Sequence, residues 1–295
     1  AYTKEIIIAP AANTNMLLNH ATRDSLTHLR SNGYTLIEPQ EKLLACGDTG
    51  SGALAEPQEV FYAGAKALLK ESFWEGRDVV VTGGGSREKI DEVRYISNFS
   101  SGKMANALSL ALYLRGANVT YISTMGFGDL PLDIKRIEAN SAEEILQETE
   151  KSITEVSSVE NAPMPYLFMV AAVADFKTIE PKAGKVKKST VGTQWNIALE
   201  QTTDVLSTLD KSKIKTVGFK AEMDSKEGLN NAVALFEKKG VDAVCYNLLD
   251  DAKSFGGSDN EITFITKDTQ TPLGRRDKLT LATMILEEAK GLMNG

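Results

Sequence analysis

The chain has 295 residues, 42% hydrophobic and 25% charged, which is enough apolar content to fill cores and too much for wholesale disorder. With 33 basic against 40 acidic side chains the net charge is −7, a sign that argues against broad nucleic-acid or anionic-membrane binding while leaving room for a local basic site. Two cysteines (Cys46, Cys245) and two histidines (His20, His28) exclude a disulfide framework and a Cys/His zinc cage; with no apolar run of about 20 residues and no signal-peptide pattern, a soluble cytoplasmic protein is expected.

The chain enters directly on an apolar β-type run, so a strand is predicted at 5–9. A chain that opens on a buried-looking strand suggests a sheet whose other strands lie elsewhere or were removed. A helical pattern at 22–31, a strand at 34–38 and a longer helix at 57–73 follow. After Glu75-Gly76-Arg77, the best domain boundary, the pattern alternates. Strands are predicted at 77–82, 118–123, 166–170, 215–219 and 242–246, with a late one at 262–266, antiparallel at an edge. Helices are predicted at 103–115, 142–156, 224–239 and 278–292. This is the signature of βαβ units and a parallel sheet. The stretch 177–194, with two glycines, one proline and five lysines, reads as a mobile surface loop.

Four segments carry chemistry. The strand at 78–81 runs into Thr82-Gly83-Gly84-Gly85-Ser86, where consecutive glycines either cradle a phosphate with backbone amides or form a tight turn; it is not a GxGxxG fingerprint. The polar cluster Ser97–Lys103 (Ser97, Asn98, Phe99, Ser100, Ser101, Gly102, Lys103) precedes an amphipathic helix and is either a plain N-cap or an anion site at the helix N-terminus. The run Phe168–Phe176, including Met169, Val170 and Ala171, ends a buried strand in small residues and one acid, Asp175. That acid serves a nucleotide, Mg²⁺ or a simple cap. The lysine run from Lys182 to Lys188 is either a solvated face or a lid closing over a polyphosphate. Residues 254–260, rich in Gly, Ser, Asp and Asn, read as an ordinary turn.

In order and spacing, residues 77–295 resemble the bacterial phosphopantothenate–cysteine ligase family of coenzyme A biosynthesis. The resemblance is most specific in Ile90-Asp-Glu-Val-Arg-Tyr-Ile-Ser-Asn-Phe-Ser-Ser-Gly-Lys-Met104 and is supported by Ala171-Ala-Val-Ala-Asp175, Lys185, Gly218-Phe219 and the Phe255-Gly stretch. Residues 1 to about 73 resemble the C-terminal portion of phosphopantothenoylcysteine decarboxylase. Pro10–Met16 is similar to its P-A-M-N-x-x-M motif and Ala45–Gly52 to its A-C-G-D-x-G-x-G substrate clamp, in which Cys46 would supply a proton. The fold implied is α/β: a Rossmann-like three-layer ligase domain at 76–295, with an N-terminal remnant of a flavodoxin-like decarboxylase domain at 1–75. The histidines lie in the wrong place for the decarboxylase's catalytic histidine. The resemblance therefore implies a truncated bifunctional protein that does not decarboxylate by itself, FMN belonging with the missing half.

For the ligase, the resemblance implies CTP as co-substrate with Mg²⁺, phosphopantothenate and cysteine as substrates, and a homodimer that completes each site across its interface. By motif, Gly83, Gly84, Gly85 and Ser86 would wrap phosphates. Asn98 would be the catalytic asparagine, Arg94 would orient the substrate from a partner subunit, and Lys185 would be the lid lysine. Met169, Val170, Ala171, Asp175, Phe219 and Lys239 fall at nucleotide contacts. Asn13, Ser97, Ser100, Ser101, Gly102 and Lys103 fall at substrate contacts. The family's N-P-D-I is here Thr202-Thr203-Asp204-Val205, keeping the acid and losing an amide. A lysine expected four positions before Lys239 is Leu235, whose charge Lys220 is expected to replace. A dinucleotide-dependent oxidoreductase would explain the glycine turn but not the lysine lid, and a non-catalytic flavoprotein scaffold would leave Asn98 and Lys185 without a role.

Overall fold

The computed structural model describes residues 5–43, 47, 49–223, 227–249 and 256–293. It divides into two compact units. One takes the described residues up to Glu71 with Leu114–Gly116; the other takes Ser72–Tyr113 and the chain from Ala117 onward.

The first unit contains β1 (Ile7–Ile8), α1 (Thr14–Leu18), α2 (His20–Ser31), β2 (Thr35–Leu36), β3 (Gln40–Leu43), β4 (Thr49–Ala53) and α3 (Pro57–Leu69). β1 and β2 pair in parallel, Ile7 opposite Thr35, and β3 and β4 form an antiparallel ribbon. The strands expected at 5–9 and 34–38 are thus two residues each. Asn13 and Asn19 cap α1 and α2 by accepting the N–H groups of Asn15 and Ala21. The helix expected to reach residue 73 ends at Leu69, because Lys70 adopts φ −56° and ψ 135° and residues 72–76 form a turn instead. In the second unit that turn sets Trp74 fully buried between Phe73 and Tyr166, at ring-centroid distances of 4.9 and 5.1 Å.

The second unit runs β5 (Asp78–Gly83), β6 (Arg87–Lys89), β7 (Tyr95–Ser97), α4 (Lys103–Leu114), β8 (Asn118–Ser123), β9 (Lys135–Glu138), α5 (Ala142–Ser157), β10 (Tyr166–Met169), β11 (Phe176–Thr178), α6 (Lys188–Val191), β12 (Leu199–Gln201), α7 (Val205–Thr208), β13 (Lys215–Glu222), α8 (Glu227–Lys239), β14 (Ala243–Leu248), β15 (Asp259–Ile265), β16 (Gln270–Asp277) and α9 (Lys278–Lys290), closing on a 3₁₀ turn, Gly291–Met293. An eight-stranded sheet has the order β16-β15-β14-β13-β10-β5-β8-β9. The six strands from β14 to β9 are parallel; β15 and β16 are antiparallel additions. Taken in chain order, the six parallel strands have the 3-2-1-4-5-6 order of the doubly wound nucleotide-binding fold.

Central strands read as continuous apolar runs because helices cover both faces: all of Tyr166–Met169 and Val79–Val81 are buried. α5 shows how the helices are set. Ser141 caps it by accepting the Glu144 N–H at 3.2 Å, and the Glu144 carboxylate reaches back to the Asn140 N–H at 2.7 Å. Its buried positions Ala142, Ile145, Thr149, Ser152 and Ile153 then fall on one helical face. The late strand is antiparallel as expected but lies one position in from the edge, which β16 occupies. β9 and β16 escape the sequence pattern because their charges (Lys135-Arg136, Arg275-Arg276) blunt the alternation, as edge strands do.

Among the described residues, no helix is long and apolar enough to cross a membrane.

Candidate active site

In a sheet of this order the connections leave β5 and β10 in opposite directions, and the crevice beyond their carboxyl ends is the natural ligand site. Two adjoining hollows of about 620 and 520 Å³ occupy it, sharing Ala171, Val173, Asp175 and Phe219 in their walls. The small side chains after Met169, expected to leave room at the end of β10, form the common wall.

The glycine turn departs from expectation. Only Gly84, at φ +85°, lines the larger hollow. Gly83 is the end of β5, and a Cβ there would fall 2.4 Å from the Ala105 Cβ on α4. Gly85 forms a parallel bridge with Ala172, and a Cβ on it would stand 2.6 Å from the Asn98 carbonyl. Ser86 is fully buried. Its N–H donates to the Ala172 carbonyl at 3.2 Å, and its hydroxyl accepts the Ala174 N–H at 2.9 Å. Ser86 therefore does not wrap phosphates: its amide is spent on the wall after β10, to which the Gly84 carbonyl, accepting the Ala172 N–H at 2.8 Å, also fastens the β5 turn. Gly85, at the bridge between them, lines neither hollow.

The segment Ser97–Lys103 lies along the larger hollow and leads into α4. The Asn98 side-chain amide donates to the Val173 carbonyl at 3.0 Å, which fixes the carboxamide on the shared wall. Lys103 is the first residue of α4 and donates to the Gly256 carbonyl at 2.8 Å.

The smaller hollow gathers Met169, Thr202, Thr203, Asp204, Val205 and Lys239, with Leu235 beside Lys239. The Thr202 hydroxyl donates to the Ala174 carbonyl and its N–H to the Asp175 carbonyl, tying this loop to the same wall. Asp204 caps α7 by accepting the Ser207 N–H and also pairs with the Lys239 ammonium. Burial lowers the Lys239 pKa, and the Asp175 charge works against that. Lys220 lines the larger hollow and pairs with Glu222 at 3.1 Å, so it does not replace the charge missing at Leu235.

Arg94 and Lys185 line neither hollow. The buried Asp91 side chain organises both: its carboxylate accepts the N–H groups of Val93, Arg94 and Val186 and the Arg94 guanidinium at 2.9 Å. Burial alone would raise this carboxyl's pKa, yet the three amides and the guanidinium together hold it below the ordinary value. The expected mobile loop at 177–194 is instead stitched down. β11 pairs with β12, Lys182 N–H donates to the Ile90 carbonyl, Glu92 N–H donates to the Gly184 carbonyl, and the Arg94 guanidinium stacks over Trp195 at 5.2 Å.

Asn13 lies in the first unit, as the cap of α1. Cys46, Asp48 and Phe255 lie outside the described residues. Cys245 is buried, and burial pushes its thiol up, as expected of an inert core residue. The sequence reading misses Asn247, Asn260 and Lys278, all in the larger hollow and all from strands or helices far along the chain. One signal was available for Lys278: a lysine directly after the cap residue Asp277 sits at the electropositive start of a helix, where cations are disfavoured.

A family model described as the DNA/pantothenate metabolism flavoprotein C-terminal domain matches residues 74–292, and one described as Flavoprotein matches residues 1–68. The chain is 35% identical over 287 residues to the coenzyme A biosynthesis bifunctional protein CoaBC of Haemophilus influenzae, covering 96% of this chain and 68% of that protein. It is 34% identical over 293 residues to a cysteine/cysteine sulfinic acid decarboxylase from an unknown prokaryotic organism, covering 94% of this chain and 75% of that protein. The crystal structure of the C-terminal domain of the coenzyme A biosynthesis bifunctional protein CoaBC matches with a TM-score of 0.59 at 28% identity, over 76% of this chain and 100% of that one.

Proposed function

The chain belongs to the family of the DNA/pantothenate metabolism flavoprotein C-terminal domain, and on that premise we propose that it acts in coenzyme A biosynthesis in the cytoplasm, joining 4′-phosphopantothenate to L-cysteine with CTP as the activating nucleotide. The observation that carries the reading is the pair of hollows meeting at Ala171–Asp175, one lined by the Asn98–Lys103 segment and the other by Asp204 and Lys239. A carboxylate is a poor electrophile. Attack of its oxygen on the α-phosphorus of CTP makes an acyl-cytidylate and releases pyrophosphate; the cysteine amine then attacks the acyl carbon and CMP leaves. Such a reaction needs an acid-bearing substrate and a nucleotide to meet at one wall.

In this reading Asn98 hydrogen-bonds the acyl group from the shared wall, and Lys239, steadied by Asp204, faces the nucleotide phosphates. Asp175 is an exposed carboxylate bordering both hollows and would hold Mg²⁺ together with phosphate oxygens. Among the described residues no three His, Cys, Asp or Glu side chains gather into a metal cage, which suits a cation carried mainly by the nucleotide. That metal supplies charge neutralisation on the phosphates. Arg94 serves across a homodimer, and Lys185 reaches the triphosphate once its segment leaves the Asp91 turn. The smaller hollow is lined by Thr202 and Thr203 where the family has an amide, and the Thr202 hydroxyl proton is committed to the Ala174 carbonyl.

Among the described residues of the first unit, the Thr14 hydroxyl at the start of α1 is buried without a hydrogen-bond partner, and it offers no open cradle to FMN. A second reading comes from the relative named for cysteine or cysteine sulfinic acid decarboxylation.

Incubation with phosphopantothenate, CTP, Mg²⁺ and cysteine is expected to release pyrophosphate and form phosphopantothenoylcysteine. Asn98→Ala is expected to cut that rate by roughly 100-fold or more. Absence of both products overturns the ligase reading. Carbon dioxide release from cysteine alone would favour the second. Equal turnover with ATP would remove cytidine selectivity.

A further inference from the structure

A helix of one turn does not hold itself, because fixing its residues costs more order than its few hydrogen bonds return. α7 is such a helix, and through Val205 and Leu206 it walls the smaller hollow. Its place therefore depends on what grips its two ends. At the N-terminal end the grip is Asp204, whose carboxylate accepts the Ser207 N–H and pairs with the Lys239 ammonium. At the C-terminal end it is Lys211, whose ammonium donates to the carbonyls of Leu206 at 2.7 Å and Leu209 at 2.8 Å.

Lys211 gives up solvent to make these contacts. It is half-buried, and burial lowers its pKa with the Asp210 charge opposing. The Asp210 carboxylate itself is turned to the Ser212 N–H at 2.9 Å. What the ammonium gains is the electronegative end of a helix, where a cation is favoured. Its own backbone is anchored as well, since the Lys211 carbonyl accepts the N–H of buried Ile214, next to the start of β13. The residue it grips matters for the hollow. Leu206 packs with Leu235 of α8 over Gly218 of β13, where a Cβ would stand 3.4 Å from a methyl of each leucine. Leu206 thus sets α7 against the helix that ends in Lys239, and Lys211 holds Leu206 by its carbonyl.

We infer that Lys211 is a positioning residue for the smaller hollow: it holds α7 from behind, α7 holds Asp204, and Asp204 holds the Lys239 ammonium toward the nucleotide. Lys211 lines neither hollow, so it acts through these groups and not on the ligand. Four residues of helix span only about 6 Å, so a shift at the Leu206 carbonyl is carried to Asp204 nearly whole. The inference rests on the ligase reading for the identity of the nucleotide as CTP.

The test reads nucleotide binding and the order of α7 separately, on the full chain. In calorimetric titrations Lys211→Met is expected to bind CTP roughly 5- to 10-fold more weakly than the wild type, with phosphopantothenate affinity unchanged within about twofold. Lys211→Arg keeps charge and donors for the two carbonyls and is expected to stay within about twofold for both ligands. In a chain already carrying Asp204→Ala, Lys211→Met should weaken CTP no further, because the route to Lys239 is cut. Hydrogen exchange without nucleotide should show the Ser207 amide losing protection in Lys211→Met together with the Leu209 amide. Should Lys211→Met fail to fold, Lys211→Gln, neutral but still a donor, carries the same comparison. A folded variant that binds CTP as the wild type does overturns the inference. So does equal weakening toward both ligands, a loss additive with Asp204→Ala, or exchange that spares Ser207; each makes Lys211 a brace of the 209–214 turn alone. A wild type that binds no CTP would defeat the nucleotide reading instead, and the Ser207 amide would still decide whether Lys211 holds α7 from end to end.

Discussion

The two compact units use similar local ingredients to different ends. In the first, two parallel strands of two residues each are half-buried, α1 and α2 bury no side chain, and α3 buries only Tyr62 while Phe61 and Leu68 stand 68% and 79% exposed. In the second, Val79–Val81 and Tyr166–Phe168 are fully buried in a sheet of eight strands. The contrast teaches that a βαβ pattern is necessary but not sufficient for a core. Parallel strands are stable when neighbours continue the sheet and helices cover both faces. The second unit meets both conditions and can spend backbone groups on a site; the first spends its caps and short ribbon on holding itself together.

The largest effect that would break this contrast is loss of core in the second unit. Trp74→Ala removes a fully buried indole wedged between Phe73 and Tyr166 and is expected to cost about 3–5 kcal/mol in urea unfolding. A cost below about 1 kcal/mol would mean that residues 72–76 do not belong to the second unit's core. Next comes Gly85→Ala. Its new methyl would stand 2.6 Å from the Asn98 carbonyl, so the segment bearing the candidate catalytic amide must shift. The expected stability loss is about 1–3 kcal/mol, with ligation falling further than folding because small misplacements of reacting groups are costly. Full ligation in a folded variant would show that the bridge to Ala172 does not position Asn98.

The sequence carried the second unit further than the first for the same physical reason. Buried central strands at 78–83 and 166–169 announce themselves as apolar runs; Asp175 follows from its place after one of them, and Asn98 and Lys239 from the resemblance to the ligase family. Strand order was not legible, and with it went the site's assembly. Gly85 and Ser86 looked like a phosphate loop because glycines after a strand permit one, but the bridge to Ala172 consumes the Gly84 carbonyl and the Ser86 N–H and leaves Gly85 and Ser86 outside both hollows. Lys278 could not be placed beside Lys103 without knowing that α4 and α9 begin at the same end of the crevice. The lysine-rich stretch read as loop because its ordering comes from Asp91, about 90 residues away.

That anchoring sets a third, smaller test. The folded Asp91 carboxyl titrates below the ordinary value of about 3.9, so its hold is complete above that pH and is lost as pH falls through the lowered folded value. Hydrogen-exchange protection of the Val186 amide is expected to be flat from about pH 7 to pH 5 and to fall below about pH 4. Asp91→Asn replaces one acceptor oxygen with a donor, which can no longer receive both the Val186 N–H and the Arg94 guanidinium. It should lose protection at every pH and leave the main sheet unchanged. Protection that survives acidification would detach the Lys185 segment from Asp91.

The smallest effect is expected where the first unit shows apolar surface. Phe61 lies on α3 next to buried Tyr62, with ring centroids 5.9 Å apart, and its own ring is mostly in solvent. Replacing it by serine removes little buried area and should change stability by no more than about 0.5 kcal/mol, whereas Tyr62→Ala should cost several times more. If Phe61→Ser proves as costly as Tyr62→Ala, the outer face of α3 is covered in solution, and the first unit's thin core reflects contacts made beyond the described residues rather than a lack of core. If the two differ as expected, the contrast between the units lies in the chain itself, in how many neighbours each parallel strand has.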